Sequence, residues 1–250
     1  MSVIIPAKDE ARSIGDLIDR IKTALNNHKF EIIIVDDGSA DNTGGIAQKN
    51  GAVVVSHASS LGKGAAMRDG ALAASGDILV FLDGDGAHYP EDIPNLTASI
   101  LHNKADLVVG SRDFRGSDTL GSYLPRRITN KLASFATSMI ISFLLPLATW
   151  FKCPMKWIGI EDAECGFKAI SKDKWHELDL ISQGFEIETE IIYESAKKRL
   201  VIQNAHVSCN WDCRISRLSI IRDGFRTLRL LSCKLIADIG RGKGNRPEPG

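Results

Sequence analysis

Two carboxylates one residue apart, Asp83 and Asp85, follow the apolar run at residues 78–82. Side chains alternate along a strand, so positions i and i+2 share a face. Gly84 between them lets the backbone turn and come close to a ligand. Carboxylate oxygens are hard ligands suited to Mg2+ or Mn2+, which offset the charge of a diphosphate. An Asp-x-Asp pair also suits a solvated acidic turn, so the surrounding residues must decide. A second acidic pair, Asp36-Asp37, ends the apolar run at 32–35. Two strands ending in acid point to one cleft at the carboxyl edge of a parallel sheet, where open α/β folds bind ligands.

Other segments carry chemistry in the same setting. Ile4-Ile5-Pro6-Ala7-Lys8-Asp9-Glu10 reads as strand, turn and acidic helix start, and Val35-Asp36-Asp37-Gly38-Ser39 repeats that order. Lys63 lies between Gly62 and Gly64, with Arg68 a turn further on. A glycine-flanked cation opening a helix suits a phosphate. It is not a P-loop, because the upstream glycine and the following Ser or Thr are absent; an ordinary helix start is the alternative.

The elements that must position these groups are legible from periodicity. Residues 2–6, 31–35, 52–56, 78–82 and 106–110 are continuous β-branched runs. Such runs are buried on both faces, which predicts a mostly parallel sheet. Helical stretches are expected at about 10–26, 41–50, 62–74 and 92–102, giving a βαβ series. The rhythm breaks after residue 111. Residues 112–125 read as a loop, 166–171 and 200–209 as strands, and 185–199 and 216–239 as helices. One domain over 1–240 is expected, with a nucleotide-binding half (1–111), an acceptor half (112–240) and a disordered tail at 241–250.

A chain of 250 residues, 44% hydrophobic and 25% charged, fits one large globular domain. Basic and acidic residues balance at 31 each, so no global field argues for nucleic acid as a partner. The balance conceals a basic C-terminus: from Cys213 onward nine residues are basic and three acidic. Five scattered cysteines fit reduced thiols in the cytosol. The strand-like opening predicts no signal peptide.

Taken in order, these motifs resemble the family-2 inverting glycosyltransferases of GT-A fold. Gly110-Ser111-Arg112, Asp162-Ala163-Glu164-Cys165-Gly166-Phe167-Lys168, Gly184-Phe185-Glu186-Ile187-Glu188 and Trp211 with Ser216-Arg217 resemble the polyprenyl-phosphate branch, which includes dolichyl-phosphate mannosyl- and glucosyltransferases. The likeness spans roughly residues 2–232. It implies that Pro6, Lys8, Glu10, Val35 and Asp37 hold the donor's base and ribose, with Lys63, Asp83 and Gly84 also on the donor. It implies Mg2+ or Mn2+ on Asp83 and Asp85, catalytic roles for Asp85, Asp162 and Arg217, and acceptor-phosphate contacts from Arg126, Arg127, Asn130 and Arg214. Asp162 and Glu188 fall at its acidic, cleft-facing positions. The chain departs from the pattern at Lys8, commonly aromatic, and at Ala87, where a third metal or phosphate ligand often stands; the neighbouring His88 is a candidate substitute.

The resemblance implies transfer of a hexose from GDP-mannose or UDP-glucose to a polyprenyl phosphate. A lipid phosphate is already ionised and needs cations rather than a base, so direct displacement with inversion is expected. A hydroxyl acceptor with Asp162 as general base is the alternative, and a non-catalytic, receiver-like phosphate-binding module is a further one. Residues 132–151 are uncharged and long enough to span a bilayer. A single crossing would separate Asp83 from Asp162, so an interfacial or re-entrant helix is expected, with a buried core helix as the alternative. Arg222, Arg226 and Arg229 beside Ile221, Phe225 and Leu228 form a basic amphipathic face suited to a membrane surface. The expected location is the cytoplasmic side of a membrane, peripheral or monotopic.

Overall fold

Continuous apolar runs must be covered on both faces, and the structure does this with a single sheet between two layers of helices. It is a computed structural model that describes residues 1–112, 120–149, 157–210 and 220–244, without the side chains of 120–127, 129, 220–223 and 241–244. The strands are β1 (Ser2–Ala7), β2 (Glu31–Asp36), β3 (Val53–Ser56), β4 (Ile78–Phe81), β5 (Leu107–Arg112), β6 (Lys168–Ser171) and β7 (Ile202–Val207). Their order across the sheet is β3-β2-β1-β4-β6-β5-β7. Only β6 runs antiparallel, against both β4 and β5, so the sheet is mostly parallel as the sequence predicts.

Alternate residues of each strand enter different cores. Val3 and Ile5 of β1, with Ile32 and Ile34 of β2, pack with Ile14, Leu17, Ile18 and Ile21 of α1 (Ile14–Ala24). That core also holds Ala47 of α2 (Thr43–Lys49) and Ile93 and Leu96 of α4 (Ile93–Leu101). Ile4, Ile33 and Val35 face the other way, onto Ala66, Met67 and Ala71 of α3 (Lys63–Ala73). Ile187, Ile191 and Ile192 of α8 (Ile187–Lys197) complete this second core. Helix α3 is built from small residues because it lies tight on the sheet: a Cβ on Gly70 would stand 2.4 Å from Ile4 Cγ2.

Local bonding accounts for the shifted boundaries. The predicted helix from residue 10 begins only at Ile14. The amides of Asp9, Glu10 and Ala11 instead donate to Ser39 Oγ, Thr43 Oγ1 and Asp41 Oδ2 at 2.9, 2.8 and 3.1 Å. The predicted loop at 112–125 is overturned at both ends: Arg112 closes β5, and α5 (Leu120–Met139) starts at Leu120. After α5 come a π-helical turn, Ile140–Leu144, and the short α6 (Leu145–Ala148). A further short helix, α7 (Lys172–His176), follows β6. The last helix, α9 (Ile220–Gly244), passes the expected boundary at 240, and residues 245–250 of the expected tail lie outside the described residues.

The α5–α6 segment has an unusual polarity. Its small polar residues point inward: Ser134, Ser138 and Ser142 accept the backbone N–H groups of Ala163, Ile160 and Ile158, each at 2.9 Å. Its large apolar residues point outward, with Leu132, Phe135 and Leu147 each more than half exposed. It is therefore neither a buried core helix nor apolar all round. Helix α9 is held down by charge. Lys234 Nζ lies 2.9 and 2.6 Å from the buried Glu190 and Glu194, and Lys197 pairs with Asp238 at 2.8 Å. Phe225, Leu228 and Ile236 of α9 remain exposed, as do Arg226 and Arg229.

Candidate active site

The strand order places the carboxyl ends of β1, β2 and β4 side by side, and the expected donor residues extend from them. The loop after β1 is knitted to the loop after β2 through the Asp9, Glu10 and Ala11 bonds and by Ala40 N–H donating to Asp9 Oδ1 at 2.7 Å. Asp9 takes a left-handed backbone, φ 52°, to make that turn. Ser13 Oγ donates to the Gly84 carbonyl at 2.8 Å, tying the first loop to the Asp83-Gly84-Asp85 turn. Pro6, Lys8 and Glu10 are partly exposed along this seam. Val35 is fully buried in the core, where its side chain is closed to a ligand.

Asp83 sits in a cradle of charge. Lys63 Nζ, on the first residue of α3, lies 2.5 Å from Asp83 Oδ1 and 2.6 Å from Glu188 Oε1. The buried Lys168 ammonium holds the other oxygen of Glu188 and donates to the Cys165 carbonyl. Burial opposes the charge on Lys63, but the two carboxylates more than reverse this and hold its pKa well above the usual lysine value. Gly166 lies against Asp83, where a Cβ would approach the carboxylate to 2.3 Å. Gly62 and Gly64 press on the backbone of 182–184, and Gly64 N–H donates to the Gln183 carbonyl at 2.7 Å.

These features fit a divalent cation. Asp83 already carries a cation as a stand-in, its cradle leaves no room for a side chain at 166, and Asp85 lies in the turn that follows it. Asp85 Oδ1 accepts Ala87 N–H at 3.0 Å, so residue 87 braces Asp85 through its backbone. His88, the candidate substitute, is a buried residue. It is 1% exposed, its ring packs 5.4 Å from the centroid of Phe167, and it forms a bridge with Cys209. Among the described residues no group of three His, Cys, Asp or Glu side chains comes together as a metal site. A diphosphate would therefore complete the coordination of a cation held by the two aspartates.

Two expected roles change with the geometry. The Asp37 carboxylate, 5% exposed, is occupied by its own protein. His57 Nδ1 and Leu61 N–H reach Oδ1 at 2.7 Å each, while Ser60 Oγ and Gly62 N–H reach Oδ2 at 2.7 and 2.9 Å. Asp37 thus anchors the loop that delivers Lys63, and its carboxylate is not free for a nucleobase. Asp162, 2% exposed, does not face the cleft as an open base. It is gripped by Arg112, with Nε to Oδ2 at 2.5 Å and Nη2 to Oδ1 at 2.7 Å. Burial would raise the Asp162 pKa, yet Arg112's charge and hydrogen bonds hold it below the usual carboxylate value. With its amide oxygen toward Arg112 Nη2 (2.8 Å), Asn130 donates to Glu164 Oε2 at 2.7 Å and joins this cluster. Arg126 and Arg127 lie on α5 with side chains outside the described set, and Arg214 and Arg217 lie outside the described residues.

Sequence reasoning missed His57. Its signal was positional: it follows β3, which neighbours β2, so its ring falls beside Asp37. The other ring nitrogen meets Asp69 Oδ2 at 3.0 Å. Burial works against the imidazolium, but hydrogen bonds to Asp37 and Asp69 prevail and raise the His57 pKa above 6.5. Burial likewise opposes the Asp37 anion, and its hydrogen bonds, that from His57 foremost, bring its pKa below 3.8.

The sign of the pH dependence follows. The stabilisation from His57 is complete below the unfolded value of 6.5 and is lost as pH rises through the higher folded pKa. That from Asp37 is present above 3.8 and is lost as pH falls through the lower folded value. His57→Gln is expected to lose about 1–3 kcal/mol near neutral pH. In denaturant unfolding the gap from wild type should shrink as pH rises above 6.5 and through the raised folded value, where the wild-type imidazolium deprotonates. A gap constant across that range would contradict the clamp.

Comparison with known proteins places this geometry in a family. Residues 2–164 match the model of glycosyl transferase family 2. The chain is 33% identical over 205 residues to a dolichol-phosphate mannosyltransferase of Pyrococcus furiosus, covering 80% of this chain and 54% of that protein. It is 26% identical over 234 residues to a human dolichyl-phosphate beta-glucosyltransferase, covering 84% and 67%. The chain thus spans only about half to two thirds of these relatives. Its fold matches a glucosyl-3-phosphoglycerate synthase of Mycobacterium tuberculosis, solved with Mn2+, UDP and phosphoglyceric acid, at TM-score 0.68 and 24% identity over 96% of this chain and 78% of that one. The protein is therefore a GT-A-fold enzyme belonging to glycosyl transferase family 2.

Proposed function

We propose that the protein transfers a hexose, mannose or glucose, from a nucleoside-diphosphate sugar to a polyprenyl, dolichyl-type phosphate at the cytoplasmic face of a membrane, with inversion. The observation that carries this reading is the α5–α6 segment. It turns its serines inward and its large apolar side chains outward, and Asn130, midway along α5, joins the Arg112–Asp162 pair. Trp157 adds to the outward surface, with Phe135 and Phe143 at 6.4 and 6.3 Å between ring centroids. Aromatic side chains of this kind favour the interface between headgroups and acyl chains. The exposed apolar and basic residues of α9 extend that surface. The free thiols of Cys165, Cys209 and Cys233 suit a reducing compartment.

The chemistry follows from the groups present. A bound divalent cation would stabilise the charge developing on the departing nucleoside diphosphate. Asp83 and Asp85 would hold it, Lys63 would add a cation on the same side, and the seam between the first two loops would seat the nucleoside. A phosphate acceptor is anionic at neutral pH and attacks without surrendering a proton. A locked Asp162 is consistent with such an acceptor. Its role is to hold Arg112, and with it Asn130 of α5, in one buried cluster. Arg126, Arg127, Arg214 and Arg217 would supply the cations that draw two anions together. The rival reading, a soluble acceptor, draws on the solved neighbour that holds phosphoglyceric acid.

Radiolabelled GDP-mannose and UDP-glucose, incubated with Mn2+ and polyprenyl phosphate in vesicles, separate the two. Label is expected to enter the organic phase only when the polyprenyl phosphate is present, and Asp85→Asn is expected to reduce its transfer about 100-fold or more. Label in a water-soluble glycoside, independent of lipid, would overturn the reading. The surface has its own test. Replacing both Leu132 and Phe135 with Glu removes two exposed apolar side chains, each worth about 1.5–3 kcal/mol when buried. Vesicle binding measured by co-sedimentation should fall about 100-fold, with thermal stability unchanged because both residues face outward. Undiminished binding would show that the membrane lies elsewhere.

A further inference from the structure

The metal carboxylate is already partnered by a lysine. We propose that Lys63 excludes free metal from Asp83 until donor diphosphate arrives, so that cation and nucleotide bind as a coupled pair. The inference rests on the assignment of Asp83 and Asp85 as metal carboxylates. Lys63 Nζ is 2.5 Å from Asp83 Oδ1, and the two side chains are 10% and 21% exposed, so solvent screens the contact poorly. Asp83, Lys63, Glu188 and Lys168 form a chain of alternating charge, each in contact with the next. The chain is electrically balanced without a metal. A divalent cation placed on Asp83 stands beside an ammonium, and that repulsion opposes binding. A diphosphate removes the conflict, because it supplies anionic oxygens to the cation and to Lys63 together.

The movement required is confined to one side chain. The backbone on either side of Lys63 is pinned, with Gly62 N–H donating to Asp37 Oδ2 at 2.9 Å and Gly64 N–H to the Gln183 carbonyl at 2.7 Å. The four-carbon stem is the flexible part, and an ammonium accepts partners in many directions. Glu188 does not lose its counter-charge when Lys63 leaves, because Lys168 stays on its second oxygen. Glu188 and Lys168 are therefore positioning residues: they set the resting place of the Lys63 ammonium. By linkage, the nucleotide must raise the affinity for metal by the factor by which metal raises the affinity for nucleotide.

The experiment is a titration of Mn2+ followed by electron paramagnetic resonance, which reads free metal and needs no turnover. Wild type is measured alone, with saturating UDP and with saturating GDP, beside Lys63→Met. Wild type alone should bind Mn2+ weakly, and the cognate nucleoside diphosphate should tighten it about tenfold or more. Lys63→Met should bind Mn2+ alone about tenfold more tightly than wild type, with the gain from nucleotide reduced. The double variant Lys63→Met with Glu188→Gln keeps the chain neutral and should behave likewise, which guards against a folding defect in the single variant. Nucleotide-dependent Mn2+ binding with unchanged affinity in both variants overturns the exclusion and leaves the metal assignment standing. Equal affinity of wild type for Mn2+ with and without nucleotide also overturns it. Absence of Mn2+ binding under every condition removes the metal assignment itself, and this inference with it.

Discussion

The Lys63 ammonium between Asp83 and Glu188 is the contact on which the rest of the site depends. It joins three segments that are distant in sequence: the start of α3, the turn after β4 and the start of α8. Each carboxylate would be costly at its depth without a partner, and removing one member of a buried pair typically costs about 3–5 kcal/mol. The glycines at 62, 64 and 166 exist in relation to this contact. A side chain at 62 or 64 would push the helix start off the 182–184 backbone, and one at 166 would displace Asp83. His57 and Asp37 hold the same helix start from the other side, through Ser60, Leu61 and Gly62.

A second constraint acts at the end of β5. Arg112 closes β5 and is neutralised by Asp162, while the Ser134–Ser138–Ser142 row fixes the segment leading to Asp162 against α5. The hydroxyls bond to a neighbouring backbone, so this face of the helix is satisfied without large apolar residues. The large apolar residues are left for the opposite face. An outward apolar face beside a buried arginine–carboxylate cluster is an arrangement suited to an amphiphilic acceptor. The charged attachment of α9, through Lys234 and Lys197, keeps its apolar residues free in the same manner.

Much of the scaffold was legible because burial on both sides leaves a plain mark in sequence. The runs at 2–6, 31–35 and 78–82 mark β1, β2 and β4 to within a residue, and the acids that follow them fall at one edge. The helix boundary at residue 10 was misjudged because amides that suit a helix start were taken by side chains of the next loop. The uncharged stretch at 132–151 shows its length in sequence, but not which way Ser134, Ser138 and Ser142 turn. Their bonds to residues 158–163 become visible once the chain is folded. The bonding of Asp37 and Asp162 was not legible for one reason: sequence reports that a carboxylate is present and not how many donors it already satisfies. His57 escaped notice, and Lys168 was seen only as part of a motif, because the carboxylates they meet lie 20 residues away in sequence.

The central claim is that the carboxyl edge at Asp83 and Asp85 holds the cation and donor diphosphate. Anomalous diffraction at the manganese edge, from crystals grown with Mn2+ and the cognate nucleoside diphosphate, tests it most directly. The account requires a manganese peak at coordination distance from the Asp85 carboxylate, bridged to the diphosphate, with the Lys63 ammonium turned from Asp83 to a phosphate oxygen. A manganese peak remote from Asp83 and Asp85 would contradict it, as would a diphosphate bound away from this edge.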